Sequence, residues 1–125
     1  MPGAVAYRRC VLGNPSAMSD ETKTSVGGAE APEGPRGELL MARTPKVALR
    51  LWEGEDAGER APEHSNSYDY VAYVLSGALR VKVGDAEAVE VRAGDSYAVP
   101  AQVPYSFEVL ETAKVVEAVA PGDAI

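Results

Sequence analysis

The feature that most limits the fold of this chain is a change of texture after Gly37. From there on, apolar runs alternate with breaks marked mostly by Gly or Pro: Glu38–Arg43, Lys46–Glu53, Tyr68–Ser76, Ala78–Val83, Ala86–Arg92, Ser96–Val99, Tyr105–Glu111 and Lys114–Ala120. Runs of this length and spacing predict strands of an antiparallel sandwich or barrel. Alternation agrees. Leu79-Arg80-Val81-Lys82-Val83 and Val89-Glu90-Val91-Arg92 put apolar groups on one face and charge on the other. Ser76-Gly77, Gly84-Asp85 and Gly94-Asp95 predict turns, because glycine accepts positive φ without steric cost. Tyr105–Ala120 contains neither Gly nor Pro, and its β-branched and aromatic content predicts two strands joined near Glu111-Thr112 rather than a helix.

A chain of 125 residues has room for one sizeable core and buries roughly two-thirds of its unfolded surface, so it needs no disulfide or structural metal. Asn14–Gly37 is a mixture of Ser, Thr, Glu, Gly and Pro with almost no large apolar side chain, too little to offset its ordering entropy. The expected organisation is an N-terminal arm, residues 1–37, partly flexible, followed by a β-barrel domain, residues 38–125. Within the arm, Ala4–Leu12 is apolar enough to pair as a strand, on its own domain or on a neighbouring subunit.

Charge narrows the partners. Nineteen acidic and twelve basic side chains give a net charge of −7, and residues 46–125 carry the whole excess. An acidic domain gains no counterion-release term from phosphates, so nucleic acid and anionic membrane surfaces are not expected partners. No apolar run approaches the roughly 20 residues that span a bilayer. Arg8-Arg9 is not followed by the apolar region of an export signal, since Asn14, Pro15, Ser16, Ser19 and Asp20 stand there. The single Cys10 cannot pair within the chain and suits a reducing compartment, so a cytoplasmic location is expected.

Two stretches then fall into a frame. From Gly58, five residues lead to His64, followed by Ser65 and Asn66, then Tyr70 and, six residues on, Gly77. From Gly94, five residues lead to Pro100, then Gln102, Tyr105 and Val109. These spacings resemble the two motifs of the cupin family: Gly, five residues, His-x-His, three or four residues, Glu, six residues, Gly; and Gly, five residues, Pro-x-Gly, two residues, His, three residues, Asn. The resemblance covers roughly Lys46–Pro121 and implies a small RmlC-like jelly roll: an antiparallel double-sheet barrel with a pocket between its sheets. It also implies a homodimer built by exchanging or pairing N-terminal strands.

The resemblance carries the four metal-ligand positions of the family onto His64, Asn66, Tyr70 and Tyr105. Only His64 is a usual ligand. An amide oxygen is a weak donor for transition metals, and a phenol of pKa about 10 resists the ionisation that ligation needs. Alternation points Asp69 and Glu63 to the opposite face. The expectation is therefore no metal and no cofactor. In their place is a pocket in which His64, Asn66, Tyr70 and Tyr105 offer polar handles, Phe107 and Val109 extend the same inward face, and Trp52 closes one end. The acidic stretch Glu53, Glu55, Asp56 and Glu59 reads as a solvated loop.

Four functions compete. The first is a small-molecule-binding or sensor module without a metal. The second is a metal-independent epimerase or isomerase using His64 as base and a tyrosine as acid, which lacks an orienting carboxylate in register with His64. The third is a metal-dependent oxygenase or isomerase with atypical ligands, and the fourth is a structural dimer module. Whether the chain is an enzyme stays open at this level.

Overall fold

Among the described residues, Val74, Val81, Val99, Val109 and Val119 are the largest fully buried side chains, and they mark the inner faces of an antiparallel β-structure. A computed structural model of the chain describes residues 22–124. The proposed strand at residues 4–12 lies outside the described residues. The strands are β1 (Leu39–Arg43), β2 (Ala48–Glu55), β3 (Arg60–His64), β4 (Asp69–Val83), β5 (Val89–Arg92), β6 (Ser96–Val99) and β7 (Tyr105–Ala120).

Two long central strands, β4 and β7, hold the barrel together by pairing along most of their length. The first half of β4 and the second half of β7 form one layer with β1, β2 and β6. Their other halves form a second layer with β3 and β5. β-branched side chains suit such pleated, half-buried surfaces, and valine dominates the space between the layers. The fold is the all-β jelly roll expected from the alternation and the motifs.

Three local expectations change. Ser76-Gly77 is a bend inside β4 rather than a turn, and Glu111-Thr112 is a bend inside β7 rather than a junction. The register shifts between Val74 and Leu79 lie opposite Glu111–Lys114, so both strands cross from one layer to the other at one place. Gly77 is required there: its φ is +82°, and a Cβ would strike the Thr112 carbonyl oxygen and the Ala113 backbone. The third change is β3, Arg-Ala-Pro-Glu-His, which carries no strand pattern. Among the described residues β3 pairs only with β7, which makes it an edge strand there, where a proline without an N–H is tolerated.

Before β1, the described part of the arm runs beside the barrel. Lys23 pairs with Arg43 and Glu33 with Leu39 through isolated bridges, with a single 3-10 turn at Gly28–Glu30 between them.

Candidate functional site

Inward side chains from the two layers leave a cavity of about 250 Å³. β2 contributes Arg50 and Trp52, β3 contributes Ala61 and His64, and β4 contributes Tyr70 and Leu79. Tyr97 comes from β6, and β7 supplies Tyr105, Phe107, Val115 and Glu117 at alternate inward positions. Half-buried Glu55 and the exposed Arg36 and Glu59 complete the lining.

One group of polar residues is built around Tyr105, which is buried opposite His64 on the neighbouring strand. His64 Nε2 lies 2.9 Å from the Tyr105 hydroxyl, and His64 Nδ1 lies 2.8 Å from the Pro62 carbonyl oxygen. A carbonyl only accepts, so Nδ1 carries the proton and Nε2 accepts from Tyr105. Asn66 Nδ2 donates to the same hydroxyl oxygen at 3.2 Å. The Tyr70 ring packs edge-on to Tyr105 at 5.7 Å and to Tyr97 at 6.1 Å. Burial pushes the hydroxyls of Tyr70 and Tyr97 well above the usual phenol range, so both stay neutral.

A second group is an ion pair. Arg50 and Glu117 are register partners on β2 and β7, both side chains are almost wholly buried, and the Arg50 Nε donates to Glu117 Oε1. Arg50 Nη1 also donates to the Tyr68 hydroxyl at 3.2 Å. The guanidinium carbon lies 5.4 to 5.7 Å from the ring centres of Tyr68, Tyr70 and Trp52, within cation–π range. Burial works against the Arg50 charge, but Glu117 and Tyr68 outweigh it and raise its pKa above the ordinary arginine value. Sequence reasoning missed this pair. The signal was there: Arg50 lies two residues before Trp52, and Glu117 lies between Val115 and Val119, so alternation puts both charges inside.

The acidic stretch divides. Glu53 faces outward and pairs with Lys114 at 3.4 Å, Asp56 and Glu59 stand exposed in the loop between β2 and β3 as expected, with Glu59 at the edge of the cavity, and Glu55, half-buried at the end of β2, turns into the cavity instead. Burial, helped by a hydrogen bond and repulsion from Glu59 and by the charges of Glu117 and Asp56, pushes Glu55 up to about 7.

Of the five residues expected at the site, His64, Tyr70, Tyr105 and Trp52 line the cavity, and Asn66 acts behind Tyr105. Phe107 lines it too, while Val109 is absorbed into the core. Asp69 turns away and accepts from the Ala101 N–H at 2.6 Å; Glu63 is exposed. Among the described residues, no group of three or more His, Cys, Asp or Glu side chains is placed to hold a metal ion. The donor set at the family's ligand positions fits a divalent ion poorly: Tyr70 is held neutral, and His64 Nε2 is engaged by Tyr105.

A barrel of this topology around an inward His, Asn and Tyr cluster defines a small single-domain β-barrel protein with an internal pocket. The family model described as Cupin domain matches residues 52–123, and the chain belongs to the cupin family. Solved structures agree on the fold. An RmlC-like cupin from Shewanella frigidimarina superposes with a TM-score of 0.71 at 20% identity, covering 82% of this chain and 94% of that one. KdgF from a Halomonas species gives 0.66 at 20% identity, covering 79% and 94%. A cupin superfamily protein from Desulfitobacterium hafniense gives 0.61 at 17% identity, covering 80% and 97%. No curated protein matches the sequence. Among the described residues, no helix is long and apolar enough to cross a membrane.

Proposed function

We propose that this cupin binds a small organic molecule in the barrel cavity and acts as a binding or sensor module. The observation that carries this reading is a concave space of about 250 Å³ with aromatic walls and polar side chains from several strands. Such a space suits a compact ligand with a ring or acyl body and a few polar groups. Its charge supports a neutral ligand: Arg50 is neutralised by Glu117, the exposed Arg36 and Glu59 carry opposite charges, and Glu55 is only part-ionised at neutral pH. The lone Cys10 supports a reducing, cytoplasmic setting.

The test is a melting screen against sugars, aromatic acids, amines and acyl compounds, on the wild type and on Ala61→Trp, which fills the cavity from its edge strand. A ligand at a hundredfold over its Kd adds about 2.7 kcal/mol of stability. The expected result is a rise in the wild type that Ala61→Trp lacks. No rise with any compound sinks the reading.

A second reading rests on the fixed tautomer of His64. A neutral imidazole whose Nδ1 is held by a carbonyl presents Nε2 as a base, with the Tyr105 hydroxyl beside it as the matching acid. The Pro62 carbonyl fills the orienting role for which a carboxylate was sought. Under this reading His64→Gln and Tyr105→Phe each abolish isomerase or epimerase turnover while the fold is kept. Retained turnover in both removes it.

A further inference from the structure

A buried ion pair that serves only the fold closes its hydrogen bonds on itself, and the Arg50–Glu117 pair does not. Arg50 gives Nε to Glu117 Oε1 and Nη1 to the Tyr68 hydroxyl, which leaves the N–H groups of Nη2. Glu117 accepts at Oε1, which leaves Oε2. Both residues are almost wholly buried, yet neither atom is among the buried polar atoms left without a partner in the described residues. The open space that both side chains line is the cavity, so Nη2 and Oε2 face it. A donor and an acceptor of opposite charge thus stand side by side on one wall, held in register by β2 and β7.

The surroundings of that pair are flat and aromatic. The guanidinium carbon lies 5.6 Å from the Tyr70 ring centre and 5.7 Å from that of Trp52, and Phe107 lines the cavity from the other layer. Trp52 adds a third polar atom, since its indole Nε1 is buried without a partner. Buried donors without an acceptor are rare in folded proteins. The wall is incomplete in hydrogen bonds until something occupies the space beside it.

We propose that the ligand of this cavity is a planar neutral amide, a ring lactam or an aromatic carboxamide, whose carbonyl accepts from Arg50 Nη2 and whose N–H donates to Glu117 Oε2. The inference rests on the reading of the cavity as a binding site and names the class of ligand. Charge decides against simpler groups. A carboxylate suits Nη2 but brings its charge against Glu117, and an ammonium suits Oε2 but meets Arg50. A ketone or ester leaves Oε2 without a donor. An amide carries donor and acceptor in one plane without net charge, and its hydrogen bonds to ionised groups are of the stronger kind. A polyol also serves both atoms, but it brings no flat π-face to Tyr70, Trp52 and Phe107.

The experiment is a nitrogen–proton NMR titration of the full chain with benzamide, 2-pyridone, benzoate, benzylamine and myo-inositol. At least one of the two amides is expected to bind about tenfold or more tightly than the other probes, the worth of one hydrogen bond to a charged group. In Glu117→Gln, which leaves Arg50 without its counter-charge, the preference should pass to benzoate. In Arg50→Met/Glu117→Leu it should vanish while the aromatic wall remains. Should Glu117→Gln not fold, the wild-type ranking and the double variant decide. Equal binding of all probes, a wild-type preference for a charged probe or for myo-inositol, or an amide preference that survives both substitutions overturns the amide class and leaves the cavity as a binding site of other chemistry. So does binding of no probe when the melting screen finds a ligand. If neither the titration nor the screen finds one, the cavity reading falls and this inference with it.

Discussion

His64 is held between two oxygens, the Pro62 carbonyl at 2.8 Å from Nδ1 and the Tyr105 hydroxyl at 2.9 Å from Nε2, and their different chemistry fixes its tautomer. The proton sits on Nδ1 because the carbonyl cannot donate. Nitrogen NMR at pH 8 should show a protonated Nδ1 and an unprotonated Nε2. In Tyr105→Phe, Nε2 and the Asn66 amide lose their shared partner inside the barrel. The expected loss is about 1 to 2 kcal/mol in urea unfolding. An Nε2-protonated ring in the wild type would refute the assignment.

Arg50 and Glu117 give a larger effect. Removing one member of a buried ion pair leaves an uncompensated charge and costs about 3 to 5 kcal/mol, whereas replacing both by apolar groups of similar volume is often neutral. Glu117→Gln is expected to lose about 3 kcal/mol in urea unfolding, and Arg50→Met/Glu117→Leu to recover most of it. If the double variant is as unstable as the single one, the cation–π contacts of Arg50 with Trp52, Tyr68 and Tyr70 matter more than its charge partner.

How much of this was legible depended on whether the cue was local. The inward parity of Tyr105, Phe107 and Val109 follows from alternation inside one regular strand and needs no partner. The motif spacing placed His64, Tyr70 and Tyr105 around one space. β3 was not legible, because Arg60–His64 holds a proline and charges and becomes a strand only by pairing with β7. The bends at Gly77 and Thr112 had visible cues, but only their mutual contact turns a turn signal into a crossing between layers. The Arg50–Glu117 pair is not legible from residue type, because charged side chains are rarely buried, and only the parity of Arg50 with Trp52 and of Glu117 with Val115 and Val119 points them inward.

Glu55 gives the barrel a pH dependence of definite sign. Its ordinary value is 4.5 and it titrates at about 7 in the folded chain. Between those values the folded state holds more protons than the unfolded one, so this group's contribution to stability falls as pH rises from about 4.5 to about 7. Melting followed by circular dichroism should show Glu55→Gln gaining more over wild type at pH 8 than at pH 5. A gain that does not vary with pH would mean that Glu55 titrates alike in both states.

Gln102 occupies the position at which the family's second motif has glycine, and its φ of +68° explains why glycine belongs there. A side chain in this left-handed region costs about 1 to 2 kcal/mol. Glycine would remove that strain, at an added unfolded-chain entropy of about 0.4 to 1 kcal/mol. Gln102→Gly should therefore stabilise the chain by about 0.5 to 1 kcal/mol and raise Tm by a few degrees, while Gln102→Ala should not. The backbone N–H of this residue donates to the Asn66 carbonyl at 2.7 Å, and Asn66 in turn donates to Tyr105. Glycine keeps that N–H in place, so slow hydrogen exchange at residue 102 and the His64 tautomer should both survive the substitution. A stabilised variant that loses them would show that the strained turn, and not only its N–H, holds the polar cluster in register.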